Sequence, residues 1–459
     1  MPAMPPTPQT PQLNIVILAA GKGKRMFSAR PKVLHEVMGK PMIEYVVEAA
    51  RALNPSKVVV VTGHEKEAVE GRLHSAGVLF AVQEAQKGTA HALLTAEGAI
   101  GEGDVLVLYG DVPLVSPGTL QEFVRFFRRS QGVAFMTTEV ANPDGYGRVV
   151  LDGDNIREII EDADATPDQK QIKEINTGIC MLARQMFDLV REIKADNAKG
   201  EHYLTDICGV AASRGLKTKG MHYAHAHEVL GINTRKDLLE ANLIMRRRIL
   251  EHHMERGVTL LGDQIYIEAD VSVGADTIIY PFSHLRGKTV IGQGATIGPH
   301  VVLNDSVLGD GVTVEPFSAL DGVTAEAGVK IGPFSRIRPT TLLRKGAKIG
   351  NFVEVKNAVI SENTKANHLS YLGDAEIGKD VNVGAGTITC NYDGRKKHKT
   401  IIEDGVFVGS NTELVAPVRV GKDATIGAGS TITHDVPEGA LAVTRAKQRH
   451  IEGYARRKK

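Results

Sequence analysis

The chain is 459 residues long, 42% hydrophobic and 24% charged, with a formal net charge of +1. At about 100–200 residues per domain this makes two or three domains, and the near-zero charge excludes a nucleic-acid coat or a long acidic tail. No run approaches the roughly 18 apolar residues of a membrane helix, and three cysteines (Cys180, Cys208, Cys390) without CxxC spacing form neither a disulfide framework nor a metal knuckle, so a reducing cytoplasm is the expected compartment.

Residues 1–12 hold five prolines and no apolar stretch, which reads as a flexible leader rather than a signal peptide. From 13 to about 235, β-branched runs (13–21, 57–64, 104–111) alternate with helix-like segments such as 42–53 and 89–100. The alternation predicts a Rossmann-like α/β domain, with a parallel sheet covered on both faces and ligands at the carboxyl ends of its strands. A linker helix is expected over 236–256. Thr234 and Asp237 are spaced as a capping box, Gly257 is a terminator, and Leu239, Leu243, Leu250 and Met254 fall on one face. Arg246–Arg248 reads as a solvated face.

From 257 to 459 the period becomes six. Val273, Ile279, Leu285, Ile291, Ile297 and Leu303 are six apart, as are Ile331, Ile337, Leu343, Ile349 and Val355, and Val408, Leu414, Val420, Ile426 and Ile432. An aliphatic residue at every sixth position, often followed by glycine, predicts a left-handed parallel β-helix of hexapeptide repeats. The 48 glycines, about 10% of the chain against a usual ~7%, fit that demand for sharp turns.

Two regions carry chemistry. The first is Leu18-Ala19-Ala20-Gly21-Lys22-Gly23-Lys24-Arg25, directly after a strand, with Lys32 further along. Glycines there let backbone N–H groups approach phosphate oxygens, and Arg25 adds a bidentate cation. Alone, Gly-x-Gly is equally a tight turn; the Walker lysine is missing, and Met26 stands where a dinucleotide fingerprint needs glycine. Asp111 ends another strand and is either a turn cap or an oxygen ligand for Mg²⁺. The second region is where hexad register breaks, around His368–Asp374 and Cys390–Lys399. His368 there is either a satisfied turn or core residue or, with a side chain that titrates near neutral pH, a candidate general base. Glu354, three hexads before Leu372, is near enough in register to orient its imidazole. Cys390 invites a covalent-thiol reading. The charges of 395–399 and of the tail 456–459 read as solvent-facing, with electrostatic help toward an anionic ligand as the functional alternative.

The loop string, with Pro31-Lys32 behind it, resembles the signature of sugar nucleotidyltransferases. With Gln83, Gly88, Thr89, Gly147, Glu161, Asn176 and Asn233 following in order, nearly the whole chain resembles the bacterial family of bifunctional N-acetylglucosamine-1-phosphate uridylyltransferase / glucosamine-1-phosphate acetyltransferases. The resemblance implies uridine-nucleotide contacts at Leu18, Ala19, Ala20, Gly21, Gln83, Gly88 and Thr89. It implies phosphate contacts at Arg25 and Lys32, Tyr109 and Gly110 flanking the metal ligand, Mg²⁺ on Asp111 and Asn233, and the sugar on Gly147, Glu161 and Asn176. In the second domain it implies His368 as base. Arg338, Lys356, Tyr371 and Asn382 then bind glucosamine 1-phosphate, and Ala385, Asn391, Tyr392, Ser410, Ala428 and Arg445 bind acetyl-CoA. It also implies UTP as co-substrate, a homotrimer with acyl sites between neighbouring coils, and a product, UDP-N-acetylglucosamine, that feeds cell-wall polysaccharides; neither nucleic acid nor membrane is a partner. Two other readings stand beside it. One is a single-activity nucleotidyltransferase with a structural hexapeptide domain. The other is a zinc enzyme of the trimeric carbonic-anhydrase type, drawing on His284, His300, His368, His398 and His434, of which no three are spaced to fall together on adjacent coils.

Overall fold

The computed structural model describes residues 12–130 and 132–455, so residues 1–11 of the expected leader and the tail 456–459 lie outside the described residues. The chain divides into two compact units after Met245.

In the first unit nine strands form one sheet, in the order Leu79–Val82, Lys57–Thr62, Leu13–Leu18, Asp104–Tyr109, Glu174–Leu182, Val133–Glu139, Thr218–His222, Asn155–Ile160 and Arg148–Asp152. The first four run parallel. Their continuous apolar sequence follows from burial on both faces: Ile15 and Ile17 join one core, Val16 and Leu18 the other. The all-parallel sheet expected from the sequence is corrected in the second half, where Glu174–Leu182 is antiparallel to both neighbours. A parallel return needs a long crossover, usually a helix. None separates Arg148–Asp152, Asn155–Ile160 and Glu174–Leu182: the first two are a hairpin closed through Gly153 at φ 60, and only a three-residue 3₁₀ turn precedes the third. From Leu13–Leu18 the chain runs outward to one side of the sheet, then crosses to Asp104–Tyr109 on the other. The carboxyl end of Leu13–Leu18 is therefore a topological switch point, where an open α/β sheet leaves a crevice.

The helix Arg235–Glu255 is capped as its sequence predicts. Asp237 Oδ2 accepts from the Asn233 and Thr234 N–H groups, and the Asp237 N–H donates to Thr234 Oγ1. Gly257, at φ 85, ends it. The expected apolar stripe is corrected: Leu239, Leu243 and Met254 are exposed, while Ala241, Met245, Leu250 and His253 are buried. Apolar residues occur on more than one side of this helix, so heptad spacing alone does not say which side is covered.

The second unit is a parallel β-helix. Its strands pair at offsets of 17 or 18 residues over most of its length, three short faces per coil. Every aliphatic residue predicted from the six-residue period is buried, and these residues form one continuous core. Glycine keeps the corners close: a Cβ on Gly274 would lie 2.6 Å from the Gly292 carbonyl carbon of the next coil. At another corner Phe282, His300, Phe317, Phe334 and Phe352 all take positive φ, and their rings stack at 4.8–5.4 Å. Stacking offsets the strain of left-handed backbone at bulky residues. The register break expected at 368–374 is corrected, since Ala366 and Leu372 are buried six apart within the strand Lys365–Gly373. The break at 390–399 is real, and pairing there jumps to an offset of 25 residues, Ala375 beside Thr400.

Candidate functional site

A cavity of about 480 Å³ opens at the switch point of the first unit. Its walls include Leu18, Ala19, Ala20, Gly21, Arg25, Lys32, Gln83, Gly88, Thr89, Tyr109, Asp111, Gly147, Glu161, Asn176 and Asn233, so of the residues predicted for this domain only Gly110 is absent from the lining. Gly110 lies behind the loop: its N–H donates to the Leu18 carbonyl, and a Cβ would press on Val33 and Ala19.

Local structure aims the walls. Gly88, at φ 107, passes so close to His202 that a Cβ would sit 2.4 Å from its carbonyl oxygen. Gln83, buried, donates to the Gly88 carbonyl at 3.1 Å. Burial pushes the Tyr109 phenol far up, so it stays protonated and serves as wall and hydrogen-bond partner of Thr89. Burial also raises the Glu161 carboxyl, and Thr205 Oγ1 donates to its Oε1 at 3.1 Å. Arg25 is exposed at the mouth, and among the described residues no carboxylate pairs with it.

At the floor the Lys32 ammonium pairs with Asp111 Oδ2 and donates to Asn233 Oδ1 at 3.0 Å. Two hard oxygens thus converge on one small cation, the donor chemistry that Mg²⁺ takes. Among the described residues no group of three or more His, Cys, Asp or Glu could hold a metal, so the pair fits an ion that draws its other ligands from phosphate or water. The sequence did not single out Gln86, whose Nε2 donates to the Ala20 carbonyl at 2.6 Å; Tyr146, beside the predicted Gly147, has its phenol raised by burial and by Asp237 and Asp111. Both line the cavity.

In the second unit His368 is exposed at the corner between two faces, on the strand Lys365–Gly373. The predicted orienter is corrected. Glu354 sits beside Tyr371 in the register and accepts from Arg338 at 3.0 Å, whereas Asn351 is the residue beside His368, with Oδ1 2.9 Å from its Nδ1. The hexad count placed Glu354 at the right face but three residues along it. The corner of His368 continues through later coils as Ala385, Ser410 and Ala428. The Gly386 N–H donates to the Leu369 carbonyl, Asn411 to Ala385 and Gly429 to Ser410, while Arg445 Nη1 reaches the Ala428 carbonyl at 2.7 Å.

Arg338, Lys356 and Tyr371 lie along the neighbouring face and its far corner. There Asp374 accepts from Asn357 and Asn391, and Asn391 Nδ2 is 3.4 Å from the Tyr371 hydroxyl. The inserted loop folds as a hairpin with Gly394, at φ 91, near its tip. It is held by a Tyr392–Lys397 bridge and by Asp393, whose carboxyl is pushed down to about 2, chiefly by the Lys396 N–H and by His398. Lys397 holds the Lys356 ammonium below its usual range, with Arg338 adding to the effect. This third cation was missed within a run of charge. Asn391 and Tyr392 are at this cationic corner, not on the Ala385–Arg445 column with which they were grouped. Asn382 is on the preceding face, beside Lys365. Cys390 is half-buried, and burial raises its thiol. Of the histidines in the zinc reading, His300 lies between two phenylalanine rings, His284 beside Tyr266, His398 on Asp393 and His434 on Thr433.

The two units define a nucleotidyltransferase joined to a hexapeptide-repeat transferase. Residues 15–202 match the MobA-like NTP transferase domain, and residues 270–305 and 399–434 match the bacterial transferase hexapeptide family of six repeats. The chain is 44% identical to a bifunctional protein GlmU from Thermodesulfovibrio yellowstonii over 97% of its own length and 100% of that protein. Relatives of the same name from Pelobacter propionicus (46%, covering 97% and 98%) and Thermotoga petrophila (47%, covering 97% and 99%) align as fully. The chain belongs to the bifunctional GlmU family and is an enzyme with a nucleotidyltransferase and an acyltransferase domain.

Proposed function

We propose that the switch-point cavity transfers the uridylyl group of UTP to N-acetylglucosamine 1-phosphate, and that the His368 corner transfers acetyl from acetyl-CoA to glucosamine 1-phosphate. The observation that carries this reading is convergence: residues scattered from 18 to 233 line one cavity, and the Lys32–Asp111 ion pair lies at its floor.

In the first reaction a sugar-phosphate oxygen, already anionic, attacks the α-phosphorus and pyrophosphate leaves, so no general base is needed. The protein positions two phosphates and offsets their charge with Arg25 and Lys32. Asp111 and Asn233 hold Mg²⁺, which when bound supplies Lewis-acid neutralisation of phosphate oxygens. Gly147, Glu161 and Asn176 take the sugar; raised by burial, Glu161 is suited to hydrogen bonding with sugar hydroxyls.

In the second reaction His368 removes the proton as the sugar amine attacks the thioester. Small side chains at Ala385, Ser410 and Ala428 leave a track along the coil corner for the pantetheine arm, with Arg445 at its far end toward the nucleotide phosphates. The sugar phosphate sits among Arg338, Lys356 and Lys397, with Tyr371 beside it. In one chain the base column and this cationic corner lie on opposite edges of a face. A homotrimer that brings one chain's base to another chain's cations accounts for that separation. It also accounts for the exposure of Leu369 and Tyr392, at 63% and 62%. No helix among the described residues is long and apolar enough to cross a membrane; with small polar substrates, the cytoplasm is the compartment this reading assigns.

An assay with glucosamine 1-phosphate, acetyl-CoA, UTP and Mg²⁺, omitting each in turn, tests the whole. UDP-N-acetylglucosamine is expected only from the full mixture, and a nucleotide sugar formed equally without acetyl-CoA would overturn the order. Removing Lys32 tests the metal pair directly. Because its ammonium sits on both ligands, Lys32→Met is expected to tighten Mn²⁺ binding to nucleotide-free protein about tenfold, the order of a like charge removed at contact. Paramagnetic resonance of free Mn²⁺ reads this. Unchanged affinity, or the same gain from Lys22→Met in the cavity wall, would show that Asp111 and Asn233 are not the ligands.

A further inference from the structure

We infer that Asn351 is a positioning residue for acetyl transfer: its amide oxygen holds His368 in the tautomer that carries hydrogen on Nδ1 and leaves Nε2 as the base. This rests on the reading of His368 as the base and goes beyond it by naming what sets the ring.

The geometry comes from the coil. Asn351 and His368 are 17 residues apart and directly opposed in the parallel register between Lys348–Lys356 and Lys365–Gly373. Asn351 Oδ1 lies 2.9 Å from His368 Nδ1. The histidine backbone is fixed as well, since its carbonyl accepts from Ser370 Oγ at 2.8 Å. Among the described residues nothing in the chain bonds Nε2. The ring is therefore held at one nitrogen and open at the other, on an exposed residue at the head of the Ala385–Ser410–Ala428 column.

A neutral imidazole is a base at only one nitrogen, and the hydrogen bond at the other decides which. An amide oxygen only accepts, so it requires hydrogen on Nδ1 and leaves the Nε2 lone pair free for the sugar ammonium proton. An amide turned over would present its NH₂ to Nδ1, put hydrogen on Nε2 and disable the base. Asn351 is uncharged, so it sets the tautomer without adding a carboxylate beside a site that must also admit anionic substrates. The neighbouring carboxylate, Glu354, is taken up by Arg338.

The test combines kinetics with spectroscopy on the full-length protein. Long-range ¹H–¹⁵N correlation of histidine-labelled protein, with the His368 signal assigned by its loss in His368→Gln, is expected to show Nδ1 protonated and Nε2 unprotonated in the neutral ring. In Asn351→Ala the protonated Nε2 form should gain. The kcat for acetyl transfer should then fall about tenfold with KM for glucosamine 1-phosphate within twofold, the size of effect typical when an orienting partner is lost. Asn351→Asp keeps an acceptor and should restore the tautomer and most of kcat. Hydrogen on Nε2 in the wild-type ring, unchanged kcat in Asn351→Ala, or a rise in KM alone would each overturn the inference. If His368→Gln itself retained full acetyl transfer, the reading of His368 as base would fail instead, and the two failures stay distinct.

Discussion

Asp111→Ala is expected to lower uridylyl transfer by about a thousandfold and to leave acetyl transfer within twofold of wild type. Asp111 is the one carboxylate at the cavity floor in contact with the Lys32 ammonium, and its carbonyl also accepts from the Ile232 N–H, which ties the strand end to the Asn233 segment. Removing the carboxylate leaves Asn233 as the remaining oxygen of the proposed pair and takes away its anionic member. A metal that offsets phosphate charge in a water-poor site contributes several kcal/mol, so a loss of about 10³, near 4 kcal/mol, is the scale expected. Pyrophosphate release from UTP and N-acetylglucosamine 1-phosphate measures it. Asp111→Asn separates charge from shape: it keeps the backbone and one oxygen, and should be nearly as inactive if charge is what matters. A variant within tenfold of wild type would remove Asp111 from the metal pair. The spared acetyl transfer follows from the division of the chain into two compact units, with His368 and its partners entirely in the second.

The sequence carried some of this better than the rest, for physical reasons. The β-helix core was readable residue by residue because one aliphatic side chain per six residues must point inward, and no tertiary partner can change that. Val273 through Ile432 are buried as the period requires. The sheet of the first unit was legible only where apolar runs are continuous. Glu174–Leu182 interrupts its apolar run with Asn176, Thr177 and Gly178, and its direction is set by the short link before it, which hydrophobicity does not encode. The linker helix showed its caps clearly and its buried face poorly, since capping is local and burial is not. Within the candidate sites, cavity walls were found because they sit at strand ends and glycine turns. Contacts between coils were found less well. Counting three hexads from Glu354 reaches Leu372, and the 17-residue coil brings Glu354 beside Tyr371; the residue opposite His368 is Asn351, three positions earlier. Lys397 was hidden because a cation in a run of cations has no signal until the inserted hairpin turns it toward Lys356.

His368→Ala is expected to lower acetyl transfer by about a thousandfold while uridylyl transfer is retained. General-base catalysis by a positioned side chain contributes about 10²–10⁴, and here the ring is anchored at Nδ1 and open at Nε2, so no other described side chain is placed to replace it. Thiol release from acetyl-CoA with glucosamine 1-phosphate measures the loss; pyrophosphate release by the same preparation shows that the first unit is intact, and an unchanged circular-dichroism spectrum and melting transition show that the β-helix is. A covalent route through Cys390 predicts something different. If an acyl-thiol formed first, Cys390→Ala would abolish transfer, and an acetylated protein would accumulate when the amine is withheld. Burial and the Glu413 carboxylate raise the Cys390 thiol, which leaves it a poor nucleophile at neutral pH, and among the described residues no base or cation is paired with it. Cys390→Ala should therefore retain transfer within a few-fold, and intact-mass measurement should find no acetyl adduct. The pair of variants decides between direct attack and an acyl-enzyme. His368→Ala inactive with Cys390→Ala active means that the amine meets the thioester directly at the head of the Ala385 column. The reverse pattern would move the chemistry one coil onward and one face across, to Cys390 on the strand Ile388–Cys390.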